Sequence, residues 1–207
     1  MATLSGKPYY KIISSLKSLG LQFDSVSPEE AARLNSKLVI TTKEESSVIE
    51  HKNMLLDTEL DVEPALIKAK ILRSLMSIHQ DDQLVIGMDP GKRIGIVAFY
   101  LEKEIESQVV TSVQRALDLM TVLVNGTKSR KKIVRIGDGN PAMAKQIANN
   151  IYARFKEKVV IEFVNEHGTS ALRTMDSDQR GLRDKLSARV IALRNGRRFR
   201  PVIPIHN

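Results

Sequence analysis

The chain has no cysteine among its 207 residues. Disulfides, zinc–thiolate centres and cysteine nucleophiles are therefore excluded, and the composition suits a reducing compartment. Tryptophan is also absent and aromatics make up only 4% of the residues. A core must then rest on Ile, Leu, Val, Ala and Met, and an aromatic-rich platform for stacking single-stranded bases is not expected. No apolar run approaches the ~18–20 residues of a membrane-spanning helix, and the N-terminus has no signal-peptide pattern. Internal repeats and low-complexity tracts are missing too. These absences lead us to expect a soluble, cytoplasmic protein without a membrane partner.

Hydrophobic residues reach 42% and charged ones 27%, which suits a folded chain with a sizeable core. The net charge of +8 is unevenly spread. Residues 1–80 carry ten basic and ten acidic side chains, so the whole excess falls in 81–207. A basic C-terminal part points to a polyanionic partner, most simply nucleic acid, or else to a solubilising surface.

Two domains are expected, meeting at the polar run His79-Gln80-Asp81-Asp82. Residues 1–80 read as a small α/β domain without an active-site pattern, suited to an accessory or partner-binding role. Its expected elements are a helix over 8–19 closed by Gly20, a short strand over 21–26, a helix start at Ser27-Pro28-Glu29-Glu30, a strand over 37–42 and a helix over 63–78. Leu66, Ala69, Leu72, Leu75 and Met76 lie on one broad face of that last helix.

Residues 81–207 read as strands over 84–88, 94–101 and 105–110, then a helix through Val124 capped by Thr111 or Ser112. A strand over 132–136, a helix entered at Asn140-Pro141, a strand over 159–164 and a helix over 182–194 follow. Three consecutive strands can form a meander, and helical crossovers make the later strands parallel. The expected fold is therefore α/β, a five-stranded mixed sheet flanked by helices.

Carboxylates fall at the strand ends of this map. Asp89 ends the first strand, within Gly87-Met88-Asp89-Pro90-Gly91; Asp138 ends the fourth, and Glu166 ends the fifth, before His167 and the Thr169-Ser170 pair. Asp184 lies early in the last helix. The first, fourth and fifth strands run parallel in this topology, so their carboxyl ends share the edge where α/β sheets place ligands. Singly, each acid has a plainer reading: a turn residue at Asp89, a helix-entry acid at Asp138, surface pairs of Glu166 with His167 or Arg173 and of Asp184 with Arg180 or Lys185. A solvated loop residue is the simplest reading of His167. Together, converging carboxylates repel, and Mg²⁺ or Mn²⁺ resolves the conflict with hard oxygen ligands. Gly91, Gly137 and Gly139 would let backbone approach a phosphate.

These residues resemble the RuvC/YqgF group of the ribonuclease H-like superfamily. The resemblance rests on Gly87-Met88-Asp89-Pro90-Gly91 with Gly95 four positions on, Glu166 with Thr169-Ser170, and Asp184-Lys185-Leu186-Ser187-Ala188 in the final helix. It spans about 81–200. It implies a ribonuclease H-like fold and a metal-dependent endonuclease acting on branched DNA, Holliday junctions above all, usually as a homodimer. It also implies Asp89, Glu166, Asp184 and Asp138 as metal ligands and catalytic residues, with the third ligand open between Asp138 and Glu166. Asp138 takes the fourth-strand position that RuvC proper uses for an acid, and Gly181 stands where RuvC carries an acid or histidine before its last aspartate. Water activated by one ion would attack the phosphorus, with no side-chain nucleophile.

Lys92, Arg93, Arg173, Arg180, Arg183 and Lys185 are candidates for holding phosphates near the site. Arg194, Arg197, Arg198 and Arg200 form a basic tail that would do the same. Duplex or branched DNA is the expected partner, with RNA as an alternative. Two other functions compete: a non-catalytic nucleic-acid-binding or scaffold protein that keeps this fold, and a nucleotide-binding protein of the actin and sugar-kinase type, whose first hairpin also reads Gly-x-Asp-x-Gly.

Overall fold

Gln83–Asp89 (β3) and Ile94–Tyr100 (β4) form an antiparallel hairpin whose residues alternate between two buried faces. The computed structural model that places them describes residues 1–76, 82–166 and 180–201, with Arg180 described in its backbone alone. The chain divides into two compact units, Met1–His79 and Gln80–Asn207. Among the described residues no helix is long and apolar enough to cross a membrane.

In the first unit, helix α1 (Gly6–Ser18) ends with Gly20 N–H on the Lys17 carbonyl and Leu21 N–H on that of Leu16, which satisfies its last carbonyls. Helix α2 (Pro28–Arg33) opens with a reciprocal bond pair between Ser27 and Glu30. Strands β1 (Val39–Thr41) and β2 (Met54–Leu56) pair in parallel, and α3 (Ser46–Ile49) lies between them in sequence. Ile12 and Leu16 of α1 pack with Ile40, Leu55, Leu60 and two isoleucines of α4 (Pro64–Met76).

Two expectations fail in this unit. Residues 21–26 form no strand: their one ladder contact is an isolated bridge from Val26 to Ala2, while Leu21 and Phe23 pack against the core. Of the apolar face expected on helix α4, Ala69 is buried but Leu75 and Met76 are exposed, because the helix turns Ile67 and Ile71 into the cluster with Ile12 of α1.

The second unit holds a mixed sheet of six strands in the order β5-β4-β3-β6-β7-β8. Strand β5 (Lys103–Val110) continues the meander through a tight turn in which Leu101 and Glu102 both adopt left-handed conformations. Helix α5 (Val113–Gly126), capped by Ser112, leads to β6 (Lys131–Gly137), which pairs in parallel with β3. Helix α6 (Pro141–Phe155), capped by Asn140, leads to β7 (Val160–Val164), parallel to β6. The sixth strand, β8 (Arg197–Arg198), corrects the expected five. It runs antiparallel along β7 after helix α7 (Arg180–Leu193), and Phe199 N–H extends the ladder to the Ile161 carbonyl. Two exposed arginines carry no apolar alternation, so only the backbone pairing reveals this strand.

Helix α7 covers the face of β3 and β4 that carries Val85, Gly87, Val97 and Phe99. The alternate residues Ile86, Met88, Ile96 and Ile136 are fully buried on the other face, which α5 and α6 cover with Met120, Leu123, Ile147 and Ile151. At Gly87 a Cβ would fall on the Ala188 carbonyl, and at Gly95 on that of Asp184. Arg135 fastens the helix end by donating to the Ala192 carbonyl at 2.7 Å and to Glu162 at 2.9 Å, and Arg189 pairs with Glu104 of β5 at 3.0 Å.

This packing predicts that Gly87→Ala destabilises the second unit by about 1–3 kcal/mol, the usual cost of forcing extra bulk into a filled interior. Urea unfolding at neutral pH measures it, and an unchanged midpoint would contradict the packing.

Candidate acidic site

The main chain of α7 presses against Gly95, and Gly95 is the antiparallel partner of Asp89. That contact brings Asp184, at the start of α7, to the carboxyl end of β3. Ser187 follows three residues later on the same helical face and hydrogen-bonds the Asp89 carboxyl. Asp184 itself pairs with Arg93 at 2.8 Å rather than with the expected Lys185; the Arg180 side chain, the other pairing expected, lies outside the described residues.

The third acid arrives from the neighbouring strands. Strand β6 stops at Gly137, and the chain turns through Gly139 into α6. The Glu166 carboxylate, two residues beyond β7, lies where side chains at Gly137 and Gly139 would have to be. Its Oε1 accepts the Gly139 N–H at 3.1 Å. Both glycines are needed as seats for this carboxylate, a more specific use than the expected approach to phosphate.

Asp138 behaves differently. Its N–H donates to the Val164 carbonyl at 3.1 Å, and its Oδ1 accepts the Glu166 N–H at 3.2 Å. It braces the backbone that carries Glu166 and lines a cleft with Pro141, Ala144 and Phe163. Glu166 and Asp184 thus stand close enough to act electrostatically on Asp89, while Asp138 has a supporting position. Strand alternation also sends Asp138 toward the side opposite Gly137.

Burial pushes the Asp89 carboxyl up to about 6 from its ordinary 3.8, and the negative charge of Glu166 adds to the rise. The Ser187 hydrogen bond opposes it, Asp184 raises it further, and Arg183 lowers it. A carboxyl so disfavoured as an anion is one that a nearby cation would relieve. Among the described residues, no group of three or more acidic or histidine side chains is arranged as it stands to hold a metal ion. Each carboxylate rests instead on a protein donor: Asp89 on Ser187, Glu166 on Gly139 and Asp184 on Arg93. In chemistry the donor set fits a hard divalent cation, because it is all carboxylate oxygen and Asp89 carries the electrostatic cost of its neighbours.

Of the expected phosphate-holding residues, Arg93 is committed to Asp184 and Arg183 stands close enough to act on Asp89. Lys92 is exposed on the reversal between β3 and β4, and Lys185 is half-buried on α7. Arg194 donates to the Asn165 carbonyl at 3.2 Å, bracing the segment before Glu166. Arg197 and Arg198 belong to β8, and Arg200 follows it. Arg173, the Arg180 side chain, His167 and the Thr169-Ser170 pair lie outside the described residues. Ser187 was missed as a site residue, although its i+3 spacing from Asp184 within the helix was the available signal.

No protein-family model matches the chain, and no curated protein matches it.

Because the Asp89 carboxyl is raised in the fold, the native state holds its proton more tightly than the unfolded chain does. Stability from this group is therefore lost as pH rises from about 4 through about 6. The raised value corresponds to a penalty on the order of 3 kcal/mol once Asp89 is ionised. Asp89→Asn should then stabilise the protein at pH 7.5 in metal-free buffer, and the gain should shrink toward zero near pH 4. Urea titrations at the two pH values test this, and a variant weaker than the parent at pH 7.5 would refute it.

Proposed function

We propose that the second unit is a ribonuclease H-like nuclease of the RuvC/YqgF kind, hydrolysing phosphodiester bonds in branched DNA with Mg²⁺ or Mn²⁺. The observation that carries this reading is the gathering of Asp89, Glu166 and Asp184, from three distant parts of the sequence, at the carboxyl edge of parallel strands β3, β6 and β7. The edge belongs to the half of the chain that holds the whole basic excess.

Asp89, Glu166 and Asp184 would hold the ion. What it supplies when bound is positive charge that polarises the phosphoryl oxygens and acidifies the attacking water. The protein's own groups do the rest. The Gly139 N–H orients the Glu166 carboxylate, Ser187 orients that of Asp89, and Asp138 fixes the Glu166 backbone. Arg93 sits between two roles: it neutralises Asp184 in the present arrangement, and it would be available for a backbone phosphate if Asp184 held a cation. Lys92 and Arg183 flank the same spot. A homodimer that pairs two such sites belongs to this reading, because a four-way junction presents two symmetric strands.

A second reading is favoured by the Arg93–Asp184 pair and by Gly181. A site in which a carboxylate is already neutralised, and in which Gly181 supplies no further acid, suits a protein that binds branched nucleic acid without cutting it.

Cleavage of a labelled four-way junction in Mn²⁺ separates the two. On the nuclease reading, Asp89→Asn and Glu166→Gln slow cutting by roughly 10²–10³-fold, the scale on which loss of one preorganised charge-stabilising group acts. Asp138→Asn costs less than about tenfold. Tight, salt-sensitive junction binding with no metal-dependent cutting would favour the second reading.

A further inference from the structure

On the Asp138 side of the β6–β7 edge lies a cleft of about 830 Å³, within the size range of small-ligand sites. Its apolar part includes Phe163 and Phe199, whose rings meet edge to face at 5.7 Å, with Tyr152 set against Phe199 at 6.3 Å. The low aromatic content argued against a stacking platform. The fold nonetheless brings two rings into the cleft lining, with Tyr152 against Phe199 outside it, because the β8 pairing carries Phe199 onto the surface of β7.

The rim is cationic. Lys145, Arg197 and Arg200 line the cleft and are exposed, and among the described residues none of the three forms an ion pair. Asp138 is the acid among the lining residues, and its Oδ1 already accepts the Glu166 N–H. Half-buried rings beneath unpaired cations complement a flat, π-faced group joined to a phosphate. A base within a duplex has no free face to offer, since its neighbours cover both.

We propose that this cleft takes an unpaired nucleotide of the substrate strand, with its base against Phe199 and Phe163 and its phosphates on Lys145, Arg197 and Arg200. The assignment rests on the proposed nuclease reading for its relevance to catalysis, since Asp138 joins the cleft to the backbone that carries Glu166. It narrows the branched substrates to those that offer an unpaired nucleotide beside the cut, as an opened branch point does, and it gives β8 a use beyond closing the sheet.

The test is binding of oligonucleotides carrying 2-aminopurine, as a single strand and as a blunt duplex of equal length, to the full chain without metal. Stacking in the cleft quenches the single strand's emission. Phe199→Leu, which keeps apolar bulk, should cut the preference for single strand over duplex by roughly 5- to 100-fold, the contribution of one stacked base. The exposed-site double variant Lys145→Glu/Arg200→Glu should weaken single-strand binding at least as much, with no loss of fold to confuse the result. An unquenched single strand, or an unaltered preference in both variants, overturns the cleft assignment even if junction cleavage persists. Strand binding that both variants lose, in a protein that never cuts, upholds the cleft and counts against the nuclease reading instead.

Discussion

The seating of α7 on β3 and β4 is the constraint on which the site depends. A helix backbone can lie so close to a sheet only where the sheet offers no side chain, and Gly87 and Gly95 provide that on adjacent strands. The approach sets the height of Asp184 and Ser187 above Asp89, and the Arg135 and Arg189 contacts hold the helix along its length. A bulkier sheet surface would lift α7, separate Asp184 from Asp89 and leave two half-sites. In this way a packing requirement deep in the second unit becomes an electrostatic one at its edge.

The electrostatic requirement runs against stability. Burial and the charges of Glu166 and Asp184 disfavour the Asp89 anion at neutral pH, and the three carboxylates rest on separate donors: a guanidinium, a hydroxyl and a main-chain N–H. None of these is a large commitment. An ion pair or a single hydrogen bond at a partly exposed edge contributes about 1 kcal/mol, a scale that the binding of a divalent ion could offset. The glycines at 137 and 139 serve the same end by giving Glu166 a place close to the strand ends without a competing side chain.

Much of this was legible in the sequence, for identifiable reasons. The strands of the second unit are dense in β-branched and aliphatic residues and bounded by glycine, proline and asparagine, so their order and parallel pairing follow from pattern and connection rules. Asp89 and Asp184 could be singled out because each sits at a definite place in an element. Asp138 could not be separated from Glu166: both follow parallel strands, and only the alternation of side chains past Gly137 decides which one turns toward Asp89. The β8 strand and the aromatic cluster escaped notice because backbone pairing, rather than local composition, creates them. In the first unit, residues 21–26 had strand-like composition but found no neighbouring strand to complete a ladder, so tertiary context overrode propensity.

The account's central claim is that Asp89, Glu166 and Asp184 together form one cation site. The most direct measurement is Mn²⁺ binding followed by its electron paramagnetic resonance signal, at pH 7.5 and again near pH 5.5. The account predicts binding that weakens at the lower pH, as Asp89 takes up its proton, and that is lost in Asp89→Asn and Glu166→Gln but kept in Asp138→Asn. Free Mn²⁺ signal undiminished by the parent protein at pH 7.5, or equal binding by all three variants, would contradict it.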